Sequence, residues 1–283
     1  MRHPLIAATF ALATMAAPVS AHTDAQDHDV RVLLVGNSLT YTNNFPTLLR
    51  AVGQSQGRTI TTETFAESGA TLAERARDGQ VSQALRERKF DAIVVQEQGG
   101  KLAACLASAQ EQRKAPCAAS KRAYGEFSAL AKEGGAKPFF FATWGPDERW
   151  QAKLDRSVRM LAKEEGAEVF NAAGALSALK QAQPTTNLYP DGLHPSTLAS
   201  VMLALTLFRD ITGTTPVAKD LRINAPLLPV NAAVDPGSPM ESQPGLAGDG
   251  KVTVIPAALV APLINVLPDK DAEADKPRGR GRR

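Results

Sequence analysis

Apolar residues cluster along this chain in short runs with longer amphipathic stretches between and after them. Residues 30–35 (VRVLLV), 91–95 (DAIVV), 137–143 (KPFFFAT) and 167–171 (AEVFN) are such runs. A short run without strict alternation is the pattern of a parallel strand buried on both faces. Residues 59–65 (TITTETF) are β-branched but more polar, which predicts a strand nearer a sheet edge. The spacing predicts helices over 45–56, 72–88, 118–133, 148–164 and 195–211. Gly57, Gly134, Gly166 and Gly213 end four of them, as C-terminal glycines do. Repeated alternation of strand and helix predicts a three-layer α/β/α domain over 30–213, with a parallel five-stranded sheet.

Beyond Gly213 the pattern changes. Pro, Gly and Ser gather over 224–250, which predicts extended or poorly ordered chain. Residues 252–267 are apolar again but interrupted by Pro256 and Pro262, so a strand or a segment packed on the domain is expected there. Residues 214–283 thus form a Pro/Gly-rich extension with a charged end from 269 that lacks the apolar content for a core. No internal repeat is visible.

The ends of the chain refine this picture. Arg2 and His3 precede an apolar run over 5–17, closed by small residues at Val19, Ser20 and Ala21. That is the form of a signal peptide over 1–21, and the run is too short to span about 30 Å of hydrocarbon. An exported protein, periplasmic or secreted and without stable membrane insertion, is expected. The formal charge is +3, but residues 276–283 alone carry five positive charges, so the body is mildly acidic. A nucleic-acid binder carries its basic footprint on the folded domain, so no nucleic-acid partner is expected. Two cysteines exist, Cys105 and Cys117. In an oxidising compartment a disulfide between them is the favoured reading over two separate thiols. A zinc site is disfavoured because no histidine lies near them. No dinucleotide, phosphate-loop or metal-ligand fingerprint is present, and no cofactor or metal is expected; residues 245–252 (GLAGDGKV) lack the Ser or Thr that a phosphate loop needs.

Candidate chemistry starts from histidine. Of His3, His22, His28 and His194, only His194 falls inside the predicted domain. Histidine is the commonest general base near neutral pH. His194 lies in residues 189–195 (YPDGLHP), with Asp191 three positions before it. That spacing lets a carboxylate fold back onto one ring nitrogen and leave the other free for a proton. It equally suits an Asp that caps the next helix beside an incidental His. Ser38, in residues 35–40 (VGNSLT), follows the first strand directly and precedes a helix. Sites in open α/β sheets form at that end of the strands, although Gly, Asn and Ser are also plain turn formers.

Taken together, Gly36-Asn37-Ser38-Leu39 after the first strand, Ser68-Gly69-Ala70 after the second, and Asp191-Gly192-Leu193-His194-Pro195 before the last helix resemble the SGNH (GDSL-like) hydrolase superfamily. The resemblance spans 30–213 and implies that family's SGNH/flavodoxin-like fold. It implies Ser38 as nucleophile, His194 as base and Asp191 as its orienting partner. The N–H groups of Ser38 and Gly69 then form the oxyanion hole. Two departures stand out. Asn37 replaces the usual Asp of GDSL. The third block, usually GxND, reads Gln96-Glu97-Gln98-Gly99 and has no Asn. A Gln amide also donates. Gln98 is favoured as the third donor with Gln96 as the alternative, since residues two apart share a face in extended chain. Trp144 and Trp150 flank Gly145-Pro146 after the fourth strand, and Trp144 is a candidate substrate contact or simple packing.

The expected function is a serine esterase acting on a small-molecule or carbohydrate ester, an O-acetyl group on a carbohydrate included. Acyl transfer by the same residues and a silent glycan-binding relative are the alternatives. The sequence does not set the oligomeric state or the natural ester.

Overall fold

The structure, a computed structural model, describes residues 29–105, 108–248 and 250–268. The expected signal peptide and the charged end from 269 lie outside these residues. In chain order the elements are β1 (Val30–Gly36), α1 (Ser38–Tyr41), α2 (Phe45–Ser55), β2 (Ile60–Ala66), α3 (Leu72–Asp78), α4 (Gln80–Glu87), β3 (Ala92–Val95), α5 (Gly99–Cys105), α6 (Ala109–Gln112) and α7 (Ala115–Glu133). There follow β4 (Lys137–Phe141), α8 (Glu148–Glu165), β5 (Glu168–Phe170), α9 (Ala172–Ala182), α10 (Thr197–Thr212), β6 (Leu221–Ile223), β7 (Thr253–Ile255) and α11 (Ala257–Ile264).

Strands β1 to β5 form one five-stranded sheet in the order β2-β1-β3-β4-β5, and every pairing is parallel. Side chains alternate across it and build two cores. Val32, Leu34, Ala92, Val94, Phe139 and Phe141 face one layer, with α2, α9 and α10. Leu33, Val35, Ile93, Val95 and Phe140 face the other, with α3, α4, α7 and α8. Burial on both faces is why these strands read as unbroken apolar runs. The polar run forms β2 at the edge, as expected.

Local chemistry explains where the helices differ from the sequence pattern. The stretch expected as one helix over 72–88 is two, because Gly79 adopts φ +76° and ends α3. Helix α3 begins with a reciprocal box between Thr71 and Glu74. Helix α10 starts two residues later than expected, capped by the Ser196 side chain on the Ala199 N–H. Its residues from Ala199 to Phe208 are all buried, because α2 and α9 flank it against the sheet and α11 adds a further neighbour. Helix α9 was not legible in the pattern; the Asn171 side chain caps it at the Gly174 N–H.

The chain after Gly213 lies on the domain. Leu221 and Ile223 of β6, with Val260 and Leu263 of α11, join the first core. Residues 224–248 are irregular yet anchored: Leu228, Met240 and Leu246 pack on Tyr41 and Ala66. The Glu241 carboxylate accepts from the Thr64 N–H at 2.8 Å and from both the Thr62 and Thr64 hydroxyls. It thereby occupies hydrogen-bonding groups that an edge strand otherwise exposes. Among the described residues no helix is long and apolar enough to cross a membrane.

Candidate active site

The strand order reverses direction between β1 and β3, and a crevice forms outside the carboxyl ends of these strands. The chain leaves β1 at Gly36 and turns at once into α1. A Cβ at Gly36 would collide with the Thr40 hydroxyl and the Gln96 amide oxygen, so only glycine lets them approach. Asn37 caps α1, its Oδ1 accepting from the Leu39 N–H at 3.1 Å. Its Nδ2 donates to the Ala70 carbonyl at 3.0 Å. An Asp here could make the first bond but not the second, which gives the departure from GDSL a physical role. Ser38 is the first residue of α1, where no preceding turn supplies an acceptor for its N–H.

His194 approaches from a loop 156 positions further along the chain. Its Nε2 lies 2.8 Å from Ser38 Oγ, and its Nδ1 lies 2.7 Å from Asp191 Oδ2. The other oxygen of Asp191 accepts from the N–H groups of His194 at 2.7 Å and Leu193 at 3.0 Å. Those two N–H groups, then the imidazole, hold the Asp191 carboxyl down at about 2. The two sequence readings of Asp191 are therefore divided between its oxygens: one organises the turn and one faces the ring. It does not cap α10, where Ser196 does so.

Asn43 joins the segment that carries Ser38 to the loop that carries His194. Its φ of 58° is left-handed, a conformation that asparagine tolerates better than most residues. Its Nδ2 donates to the Pro195 carbonyl at 2.7 Å and the Ser200 hydroxyl at 2.9 Å, and its Oδ1 accepts from Thr197 at 3.1 Å.

The three residues after β3 divide their work. Gln96 is buried, and its Oε1 accepts from the Asn37 N–H at 3.0 Å and the Thr40 hydroxyl at 2.9 Å. Its Nε2 donates to the Glu97 carbonyl at 2.8 Å. Its Oε1 is thus fully engaged, while Nε2 spends one of its two N–H groups on the Glu97 carbonyl. The two glutamines are placed differently beyond the end of β3 at Val95: Gln96 is buried against Asn37 and Thr40, and it does not line the crevice. Gln98 instead lines the crevice with Gly69, whose φ of +71° turns the loop after β2.

That crevice is a cavity of about 700 Å³ lined by Ser38, Gly69, Gln98, Trp144, Trp150 and Tyr189, among others. Trp144 sits in its wall, its ring 5.4 Å from that of Tyr189. Tyr189 carries no role in the sequence pattern; its aromatic ring five positions before His194 is the signal that points to it. Lys101 also borders the cavity, and nothing in its sequence context marked it. Cys105 and Cys117 are joined in a disulfide with a Cα–Cα distance of 5.2 Å, linking α5 to α7 away from the cavity. Among the described residues no group of three or more His, Cys, Asp or Glu is placed to bind a metal.

The sequence matches no protein-family model and no curated protein. Solved structures do match. A DUF4886 family protein from Bacteroides uniformis ATCC 8492 aligns with a TM-score of 0.52 at 16% identity, over 66% of this chain and 84% of its own. LAE5, an alpha/beta hydrolase enzyme from the metagenome of Lake Arreo, Spain, aligns with a TM-score of 0.51 at 16% identity, over 66% of this chain and 97% of its own. These likenesses show a shared fold, a parallel β2-β1-β3-β4-β5 sheet between two layers of helices, which is the three-layer α/β/α architecture expected from the sequence.

Proposed function

We propose that this protein is a serine esterase that hydrolyses a carboxylic ester through Ser38, His194 and Asp191. The observation that carries the proposal is the continuous chain from Ser38 Oγ to His194 Nε2 at 2.8 Å and from His194 Nδ1 to Asp191 at 2.7 Å. The Asp191 carboxylate accepts a hydrogen bond from Nδ1–H, which fixes that tautomer and leaves Nε2 as the basic nitrogen. As Ser38 Oγ bonds to the ester carbonyl carbon, its proton passes to Nε2. The carbonyl oxygen takes the negative charge and is met by the N–H groups of Ser38 and Gly69 and the Gln98 amide. Collapse breaks the ester C–O bond, and the leaving alkoxide takes the proton from Nε2. Water then repeats the sequence on the acyl-serine and releases the acid.

The substrate is a small-molecule or carbohydrate ester. The aromatic walls of the cavity, Trp144 first, suit a sugar ring or an apolar acyl group. Residues 30–213 are the catalytic domain, 214–283 an extension upon it, and 1–21 a signal peptide for export. The Cys105–Cys117 disulfide is in keeping with an oxidising compartment.

Purified protein is assayed on an activated acetyl ester and labelled with a serine-directed phosphonate. Hydrolysis with the label on Ser38 is expected. The Ser38→Ala and His194→Ala variants should each lose on the order of a million-fold in turnover while remaining folded. Wild-type protein that takes up no label and hydrolyses no ester favours the silent glycan-binding alternative.

A further inference from the structure

Glu97 has no solvent-exposed surface, yet it carries a carboxyl group beneath the candidate site. Burying such a group costs free energy unless its lone pairs are taken. Here they are. Its Oε1 accepts from the Gln98 N–H at 2.7 Å and the Leu72 N–H at 3.2 Å. Its Oε2 accepts from the Ser120 hydroxyl of α7. Burial nevertheless pushes the carboxyl upward, with the three donors opposing it.

The placement of these donors matters. Leu72 opens α3, three residues after Gly69, so its N–H has no partner within the helix. The loop that carries Gly69 is thus gripped twice. Asn37 Nδ2 holds it at the Ala70 carbonyl from the nucleophile side, and Glu97 holds it at Leu72 from beneath. The same Glu97 oxygen holds the backbone of Gln98. One atom therefore sets the distance between two of the three groups assigned to the oxyanion hole. Ser120 of α7 anchors the same carboxylate through its other oxygen, Oε2.

We infer that Glu97 is a positioning residue that fixes Gly69 and Gln98 relative to each other, and so sets the geometry of the oxyanion hole. The inference rests on the esterase reading. Hydrogen bonding rather than charge does the positioning. In Glu97→Gln the amide oxygen keeps both N–H bonds, and the new N–H₂ group can donate to the rotatable Ser120 hydroxyl. Glu97→Ala leaves both N–H groups without their acceptor.

The test measures kcat and KM on an activated acetyl ester for Glu97→Ala, Glu97→Gln and Glu97→Asp, with folding followed by circular dichroism. Folded Glu97→Ala should lose roughly 10- to 100-fold in kcat with KM nearly unchanged, as a small misplacement of catalytic donors does. Glu97→Gln should recover most of that loss. Gln98→Ala should cost less in the Glu97→Ala background than in wild type, because both act through one group. If Glu97→Ala does not fold, Glu97→Asp replaces it throughout; withdrawn by one methylene, its carboxylate should lower kcat and couple to Gln98 in the same way. Wild-type kcat in the folded variant, a Glu97→Gln as slow as Glu97→Ala, or full additivity with Gln98→Ala overturns the inference. A Ser38→Ala variant assayed in parallel keeps the two claims apart: if it retains wild-type turnover, the esterase reading itself has failed.

Discussion

The indole N–H of Trp144 donates to the carbonyl of Leu193 at 2.8 Å, one residue before His194. A residue in the loop after β4 thereby steadies the loop that carries His194, while its ring lines the cavity. Trp144→Phe keeps an apolar ring but removes that donor. Because Leu193 is exposed, water can replace the bond, so stability should change by no more than about 1 kcal/mol. Turnover is the more sensitive reading. We expect kcat to fall several-fold, with KM for a small acetyl ester little changed. Unaltered kcat would show that the bond does not help to place His194.

Gln96 and Gln98 should separate cleanly. Removing one oxyanion donor typically costs about 100- to 1000-fold in turnover. Gln98→Ala should show that loss with unchanged KM and melting temperature. Gln96→Ala strands the Asn37 N–H and the Thr40 hydroxyl in a buried site, at about 1–3 kcal/mol each. Its melting temperature should therefore fall. Wild-type turnover in Gln98→Ala would remove its assignment as the third donor.

The pH dependence follows from Asp191. Its carboxyl is held at about 2 by the N–H groups of His194 and Leu193, with the imidazole adding to them. A depressed carboxyl stabilises the fold above its ordinary value near 4, and that contribution fades as pH falls toward 2. Asp191 therefore stays ionised through mildly acidic solution and adds no protonation step of its own to the acid limb there. Plotted as log kcat/KM against pH, the acid limb should have a slope of one down to about pH 3. A limb that steepens to a slope of two above that point, in Glu97→Gln as well as in wild type, would show Asp191 titrating too.

The disulfide should support stability rather than chemistry. It closes a loop with a sequence separation of 12 between α5 and α7. Restricting the unfolded chain over so short a loop contributes about 3 kcal/mol. Reduction should lower the melting temperature measurably and leave ester hydrolysis intact at moderate temperature, since neither sulfur lines the cavity. Full loss of activity in reduced, folded protein would mean that the α5–α7 link also shapes the site.

Much of this protein is written in local sequence. The runs over 30–35, 91–95 and 137–143 become central strands, because a parallel strand covered on both faces must be apolar throughout. Asp191 and His194 meet because three positions in a tight turn bring them into reach. Other features depend on contacts that no local pattern contains. The segment forming α9 is rich in alanine and glycine, so it shows too little contrast between faces to be seen. The split of 72–88 depends on Gly79 taking a left-handed conformation, which composition permits but does not demand. Gln96 and Gln98 are alike in chemistry and two positions apart, and only the approach of Asn37 and Thr40 at the start of α1 engages the amide oxygen of Gln96, while Gln98 lines the crevice. The meeting of Ser38 and His194 across 156 positions was suggested by motif likeness alone. Neighbours along the chain share a fixed covalent distance, so their interactions can be read from spacing. Partners brought together by crossovers of the sheet have no such distance, and only the packed tertiary structure decides which of them touch.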